Sequence, residues 1–249
     1  MTGRLTLVAT PIGNLGDLSP RAVAALRDAD VIACEDTRHT RKLLTYAGVP
    51  AGNRLIAVHD QNEAASVRRV LGLLDDDRVV AVVTDAGTPG ISDPGERLVR
   101  AAAAAGHLVE AVPGPSAAVT ALVVSGLPTS RFSFEGFLPR KGHERSVRMA
   151  EIAADRRTVV LYESPRRVRT TLADLAGACG DLRRVAVCRE LTKLHEEVWR
   201  GTLAAAVAHL DASEPRGEYV VVVDGAPVPD AAGDGEIEAE LQRRIGAGT

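Results

Sequence analysis

Four segments bring together the residue types that chemistry at a ligand needs. Thr10 to Asp17 reads T-P-I-G-N-L-G-D, Glu35 to Thr40 reads E-D-T-R-H-T, Thr84 to Gly95 reads T-D-A-G-T-P-G-I-S-D-P-G, and Pro113 to Ala117 reads P-G-P-S-A. Three of them are dense in Gly and Pro, which set sharp turns and let a ligand approach the backbone. None matches G-x-G-x-x-G or G-x-x-x-x-G-K-[ST], so the common dinucleotide and nucleoside-triphosphate sites are disfavoured. What they do offer suits an adenosyl-type ligand. Backbone amides can meet an adenine edge, a carboxylate or hydroxyl a ribose, and the helix start at Ser116 and Ala117 an anion.

A second set of residues points to proton chemistry. V-I-A-C runs into Glu35-Asp36-Thr37-Arg38, and V-A-V-C-R runs into Glu190-Leu191-Thr192-Lys193, so each half places E-x-T-basic just past an apolar run. A desolvated lysine can lose its proton, which makes Lys193 a candidate general base, and Glu35, Asp36 or Glu190 can orient a hydroxyl. F-E-G-F-L-P-R-K-G sets Arg140 and Lys141 beside aromatic residues, for which core packing is the default. Y-E-S-P-R-R places Arg166 and Arg167 in the first turn of an expected helix, where cations oppose the helix dipole and an external anion would compensate. The six histidines lack H-E-x-x-H or H-x-x-E-H spacing, and the three cysteines lack C-x-x-C spacing. No zinc site and no disulfide framework is expected.

These loops need strands and helices to hold them. Short β-branched runs at Leu5–Ala9, Val31–Cys34, Leu55–Val58, Val79–Val83 and Leu108–Val112 alternate with amphipathic stretches. That order predicts a parallel sheet with crossover helices, and it puts all four loops at carboxyl ends of strands, where open α/β sheets bind ligands. Ser19-Pro20 reads as a capped helix start. Turn residues at Gly126–Ser130 mark a boundary. Beyond it, strands at Phe132–Phe134, Thr158–Tyr162, Val185–Cys188, Val198–Arg200 and Tyr219–Val223 alternate with helices at His143–Ala154 and Pro165–Ala178 and a Thr202-capped helix. The expected architecture is two α/β domains, 1–128 and 129–223, followed by an acidic linker and loose tail over 224–249, with at most a short helix at Glu236–Ile245.

Composition bounds the function. The chain has 249 residues with 45% hydrophobic side chains, enough for a sizeable core, and no apolar run of membrane-spanning length. No membrane partner is expected, and the cysteine usage fits a cytoplasmic protein. Thirty Lys and Arg against 33 Asp and Glu give a net charge of −3, which excludes a uniformly basic nucleic-acid binder. The sum hides asymmetry. Arg131 to Arg169 holds ten basic and five acidic residues, whereas Asp224 onward holds six acids and two arginines. A local basic rim on an acidic molecule is the expected distribution.

V-A-T-P-I-G-N-L, C-E-D-T-R-H-T, T-D-A-G-T-P-G-I-S-D-P-G, P-G-P-S-A, F-E-G-F-L-P-R-K, Y-E-S-P and R-E-L-T-K together resemble, in that order, the bacterial small-subunit ribosomal RNA methyltransferase I family of the tetrapyrrole methylase superfamily. The likeness spans Leu5 to Val223. It implies two α/β domains with S-adenosylmethionine (S-adenosyl-L-methionine) in the cleft between them, a homodimer, and methylation of the ribose 2′-oxygen of a cytidine in the decoding region of 16S rRNA. DNA is not an implied partner. The implied cofactor residues are Thr10, Pro11, Ile12, Gly13, Asp85, Gly87, Thr88, Ile91, Ser92, Ser116, Ala117 and Tyr162. Lys193, Glu190, Glu35 and Asp36 are the catalytic candidates, and Arg38, Arg140, Lys141, Arg166, Arg167 and Arg189 the substrate candidates. Three positions depart from the family pattern: Arg166 replaces the histidine of Y-E-S-P-H-R, and Thr84 and Gly90 replace the serine and leucine of S-D-A-G-T-P-L-I-S-D-P. Other readings are a tetrapyrrole methyltransferase of the same fold, a Mg²⁺-dependent hydrolase using Asp36, Asp85 and Asp93, and an RNA-binding scaffold without catalysis.

Overall fold

Val79 to Val83 carries apolar side chains on both faces, which suits only a strand covered on both sides. In the computed structural model, which describes residues 3–58, 63–212 and 214–227, this run is β4 (Val79–Val83) at the centre of a sheet. Its neighbours are β1 (Arg4–Val8), β2 (Val31–Cys34), β3 (Leu55–Ala57) and β5 (Leu108–Val112), all parallel, in the order β3-β2-β4-β1-β5. The crossovers are α1 (Pro20–Asp28), α2 (Thr37–Tyr46), α3 (Glu63–Asp75) and α4 (Glu96–Ala104). Ala81 and Val83 pack with Leu26 of α1 and Leu44 of α2 on one face; Val80 and Val82 pack with Val70, Leu74 and Leu98 on the other. The Ser19 hydroxyl accepts the Ala22 N–H at 3.1 Å and so caps α1.

After α5 (Ala117–Val124) comes a second sheet of β6 (Phe132–Phe137), β7 (Thr158–Glu163), β8 (Arg184–Arg189), β9 (Glu197–Thr202) and β10 (Tyr219–Val223), with α6 (His143–Ala154), α7 (Val168–Cys179) and α8 (Leu203–Asp211). The order is β6-β7-β10-β8-β9, with only β6 and β7 parallel. β10 is buried along its whole length because Tyr219, Val221 and Val223 pack with α7 and α8 on one face and Val220 and Val222 with α5 on the other.

Two local expectations need correction. The helix after Y-E-S-P starts at Val168 rather than Pro165, because Ser164 O accepts the Arg167 N–H and closes a turn first. Arg166 and Arg167 therefore precede the helix instead of occupying its first turn. At the start of α5 the Ala118 N–H donates to the Tyr162 hydroxyl at 3.2 Å. Phe132 and Phe137 are exposed rather than core. The segment Glu236–Ile245 lies outside the described residues.

The two sheets share an apolar seam. Ile12, Ala118, Ala121 and Leu122 pack with Val160, Ala186, Val220 and Val222 of the second sheet. Arg200 of β9 donates to the carbonyls of Val124 and Ser125 at 3.2 and 3.1 Å, placing a cation on the C-terminal end of α5. The opposite face of α5 keeps Val119 and Val123 exposed, close in sequence to an exposed Leu108 on the edge strand β5. Among the described residues, no helix is long and apolar enough to cross a membrane.

Candidate active site

The four Gly, Pro and acid-rich loops leave the carboxyl ends of β1, β2, β4 and β5, so parallel pairing gathers them on one rim. Hydrogen bonds then lock them together. Thr10 and Gly87 exchange backbone bonds of 2.8 and 3.1 Å, the Thr10 hydroxyl donates to Thr84 O, and the Thr88 hydroxyl donates to Pro115 O. The Asp36 N–H donates to Asp85 Oδ1 at 3.2 Å. Gly87 sits at φ +78°, a left-handed geometry that a side chain would strain.

Above this rim, between the sheets, lies a cavity of about 410 Å³, within the usual size of a small-molecule site. Ile12, Gly87, Thr88, Ile91, Ser116, Ala117 and Tyr162 provide a largely apolar wall, while Glu35, Asp85, Asp93 and Glu218 converge on it as carboxylates. Burial, reinforced by the charges of Glu35, Asp85 and Glu218, pushes the Asp93 carboxyl up to about 6. Such a cavity suits a ligand with an apolar, flat body that carries positive charge. Because the folded pKa is raised, ionising Asp93 destabilises the fold as pH rises from about 4 to about 6. Asp93→Asn is therefore expected to stabilise the free protein by about 1 kcal/mol at pH 8, a figure discounted for solvent access, and to have no effect at pH 4. Urea unfolding at both pH values checks this; equal gains at the two would refute it.

Thr10, Pro11 and Gly13 do not line the cavity. Thr10 and Pro11 are buried beneath the rim, and Gly13 meets the second half of the chain instead. A Cβ on Gly13 would lie 2.4 Å from Lys193 Cγ and 2.9 Å from Thr192 Oγ1, so the bare glycine lets the lysine stem cross it. Lys193 Nζ donates to Glu190 Oε1 at 2.8 Å and to Glu218 Oε2 at 2.7 Å. Burial alone would lower its pKa, but the hydrogen bonds and charges of Glu190 and Glu218 outweigh that and raise it. With both carboxylates paired to it, Lys193 is held in its charged form at neutral pH. Burial disfavours the Glu190 anion, yet Lys193 and the Glu218 N–H hold its pKa below the ordinary value.

The other candidates divide. Glu35 lines the cavity, whereas the Asp36 carboxylate caps α2 by accepting the Arg38 N–H at 2.7 Å, which lowers its pKa. Arg38 projects into solvent with a 90% exposed side chain. Arg189 is tied to Arg216 O at 2.8 Å and lies 3.8 Å from Glu197. Arg140, Arg166 and Arg167 line one groove of about 630 Å³ that shares Phe137, Glu163 and Ser164 with the cavity; Lys141 is exposed next to Arg140. By sequence alone Asp93 is only an alternative metal ligand and Phe137 a core residue. The signal that could have found them is their place in motifs otherwise rich in site residues. Among the described residues, no group of three or more His, Cys, Asp or Glu side chains could hold a metal ion.

A rim of loops on a parallel sheet, closed by a second mixed sheet over an acidic cavity, is an arrangement that can be compared with known proteins. The family model described as Tetrapyrrole (Corrin/Porphyrin) Methylases matches residues 4–207. The protein named Ribosomal RNA small subunit methyltransferase I in Synechocystis sp. is 47% identical over 228 residues, covering 92% of this chain and 81% of its own. Its namesake in Mycobacterium tuberculosis is 51% identical over 225 residues, covering 90% and 79%. The chain belongs to this methyltransferase family. Among solved structures, diphthine synthase superposes with a TM-score of 0.68 at 16% identity, covering 97% of this chain and 99% of that one. Cobalt precorrin-4 methyltransferase gives 0.67 at 17%, covering 90% and 95%. At such identities these neighbours show the fold, and the family's two-sheet α/β architecture is the one found here.

Proposed function

We propose that this chain transfers a methyl group from S-adenosylmethionine to the ribose 2′-oxygen of a cytidine in the decoding region of 16S rRNA, in the small ribosomal subunit of the cytoplasm. The observation that carries the cofactor is the cavity: an apolar wall faced by the carboxylates of Glu35, Asp85, Asp93 and Glu218 fits a ligand that is both adenosyl-bearing and cationic. Ile12, Gly87, Thr88, Ser116, Ala117 and Tyr162 would hold its adenosyl part, and Asp85 and Asp93 its positive end. When bound, that cofactor supplies an electrophilic methyl group. The protein's own residues orient the ribose hydroxyl and manage its proton. Glu35 and Glu218, which line the cavity, are the candidate proton acceptors, and Lys193, held by Glu190 and Glu218, would supply fixed positive charge beside them. Family membership directs the reading to ribosomal RNA, because the relatives above carry that substrate in their names.

The test incubates the protein with radiolabelled S-adenosylmethionine and, separately, unmodified 30S particles, naked 16S rRNA and a free tetrapyrrole. Ribose-linked label in the particle or its RNA is the expected result; label on the tetrapyrrole alone overturns the substrate. The Asp93 carboxyl at about 6 adds a pH signature. If the ionised form is the one that binds, the fraction ionised rises from about a tenth at pH 5 to about nine tenths at pH 7, and affinity for the cofactor rises roughly tenfold. Calorimetry across that range reads it, and a flat profile removes Asp93 from the site.

The same proposal includes a homodimer. α5 is apolar on every face, A-A-V-T-A-L-V-V, yet Val119 and Val123 are 50% and 64% exposed. A helix of that kind is ordinarily covered. Val123→Glu is expected to shift the protein to monomer in sedimentation velocity at micromolar concentration; a monomeric parent protein would refute the dimer.

A further inference from the structure

The strand β6 carries a bulge whose effect is to turn one aromatic ring toward the cavity. Phe134 pairs with Val160, Gly136 with Leu161 and Phe137 with Tyr162, so Glu135 is the inserted residue. Without it, Phe134 and Phe137 would point to opposite faces of the sheet; with it, both lie on the Tyr162 face. Their ring centroids are 4.9 and 5.6 Å from that of Tyr162, each edge to face. Gly136 adopts φ +59°, and a Cβ there would lie 3.0 Å from Ser92 Oγ, so the bulge abuts the Thr84–Gly95 loop. Phe134 packs into the seam, but Phe137 remains 55% exposed at the junction of the cavity and the basic groove.

The groove is built around a braced arginine. Arg167 is 3.2 Å from the buried Glu163 carboxylate and donates to Leu138 O at 2.7 Å. Arg140 and Arg166 are exposed and make no hydrogen bond or ion pair among the described residues. An open aromatic face flanked by uncommitted guanidinium groups, contiguous with a methyl-transfer cavity, matches a splayed nucleotide: a base to stack and phosphates to neutralise.

We infer that Phe137 is the platform on which a base of the RNA strand entering the cavity stacks, and that Arg140 and Arg166 hold its flanking phosphates. This rests on the RNA substrate proposed above and adds the residues that position it. Stacking on an aromatic side chain is worth enough that its loss should lower kcat/KM for 30S particles by about tenfold to a hundredfold.

The experiment compares the parent protein with Phe137→Leu, Phe137→Trp and the double variant Arg140→Ala with Arg166→Ala. The readouts are label transfer to unmodified 30S particles over a salt series and S-adenosylmethionine affinity by calorimetry. Phe137→Leu keeps the apolar bulk but loses the π face, and should lose kcat/KM by far more than any loss of cofactor affinity. Phe137→Trp should retain most activity. The double arginine variant should flatten the logarithmic salt dependence by roughly 0.7 to 0.9 per lost phosphate contact. Parent-like kcat/KM in Phe137→Leu overturns the stacking role, and a loss of cofactor affinity large enough to account for the whole loss of kcat/KM overturns it by assigning Phe137 to the donor site. An unchanged salt slope overturns the phosphate contacts. Absence of label with the parent protein overturns the RNA reading and this inference with it, a result distinct from active parent and active Phe137→Leu.

Discussion

Glu163→Ala is expected to destabilise the protein by about 3 kcal/mol, the lower end of the cost of breaking a buried ion pair. Glu163 ends β7 with a fully buried side chain. Its Oε2 accepts the Thr171 hydroxyl at 2.7 Å and lies 3.2 Å from Arg167 Nη2, while its Oε1 accepts the Ser164 N–H at 2.8 Å. Truncation leaves three donors, one of them charged, without their acceptor. The lower end applies because Arg167 keeps 26% of its side-chain surface in water and can rehydrate in part. For a chain of this size the loss corresponds to a fall in Tm of roughly 10 °C. Glu163→Gln, which retains an acceptor but not the charge, should fall between the two. Thermal and urea unfolding of the three proteins measure the series; a loss under about 1 kcal/mol for Glu163→Ala would show that the network is dispensable.

That network also shows which parts of the molecule were legible in the sequence. Val79 to Val83 and its sister runs announce buried parallel strands, and from their order alone the four loops fall on one rim. The pairing of Glu163 with Arg167 was hidden because a helix was expected to start at Pro165. Once the Ser164 turn intervenes, the arginine folds back over the strand end instead of facing outward. Phe137 was hidden for a similar reason: a bulge reverses the face of every residue beyond it, and alternation patterns carry no mark of where the extra residue enters. The Asp93 environment depends on Glu35, Asp85 and Glu218, three residues from separate segments, so no local pattern could foretell its shifted carboxyl. Lys193 was legible as a candidate by its motif, but its state is set jointly by Glu190 within that motif and Glu218, 25 residues onward.

The consequence for Lys193 is the second large effect. A lysine clamped at 2.8 and 2.7 Å by two carboxylates has no lone pair to offer at neutral pH. Its proposed contribution is fixed charge beside the developing alkoxide, an effect that removal of comparable donors elsewhere puts at about 10²- to 10³-fold in kcat. Lys193→Met is therefore expected to lower single-turnover methyl transfer by about a hundredfold, with little change in S-adenosylmethionine affinity because Lys193 does not line the cavity. Lys193→Arg should recover part of the rate, since it restores the charge without the same reach. The loop itself is held in place by other bonds: Glu190 and Thr192 adopt φ +50° and +67°, and the Thr192 N–H donates to Glu196 Oε2 at 2.6 Å. Those bonds survive in Lys193→Met, so an unchanged Tm alongside the lost rate would separate charge from folding. The pH profile discriminates further. With lysine as the base, the rate would keep rising through the alkaline range; with Lys193 a fixed cation and a carboxylate accepting the proton, that alkaline rise is absent. A Lys193→Met variant with parent-like turnover would remove the residue from the reaction, and would leave its span across Gly13 as a purely structural tie between the two sheets.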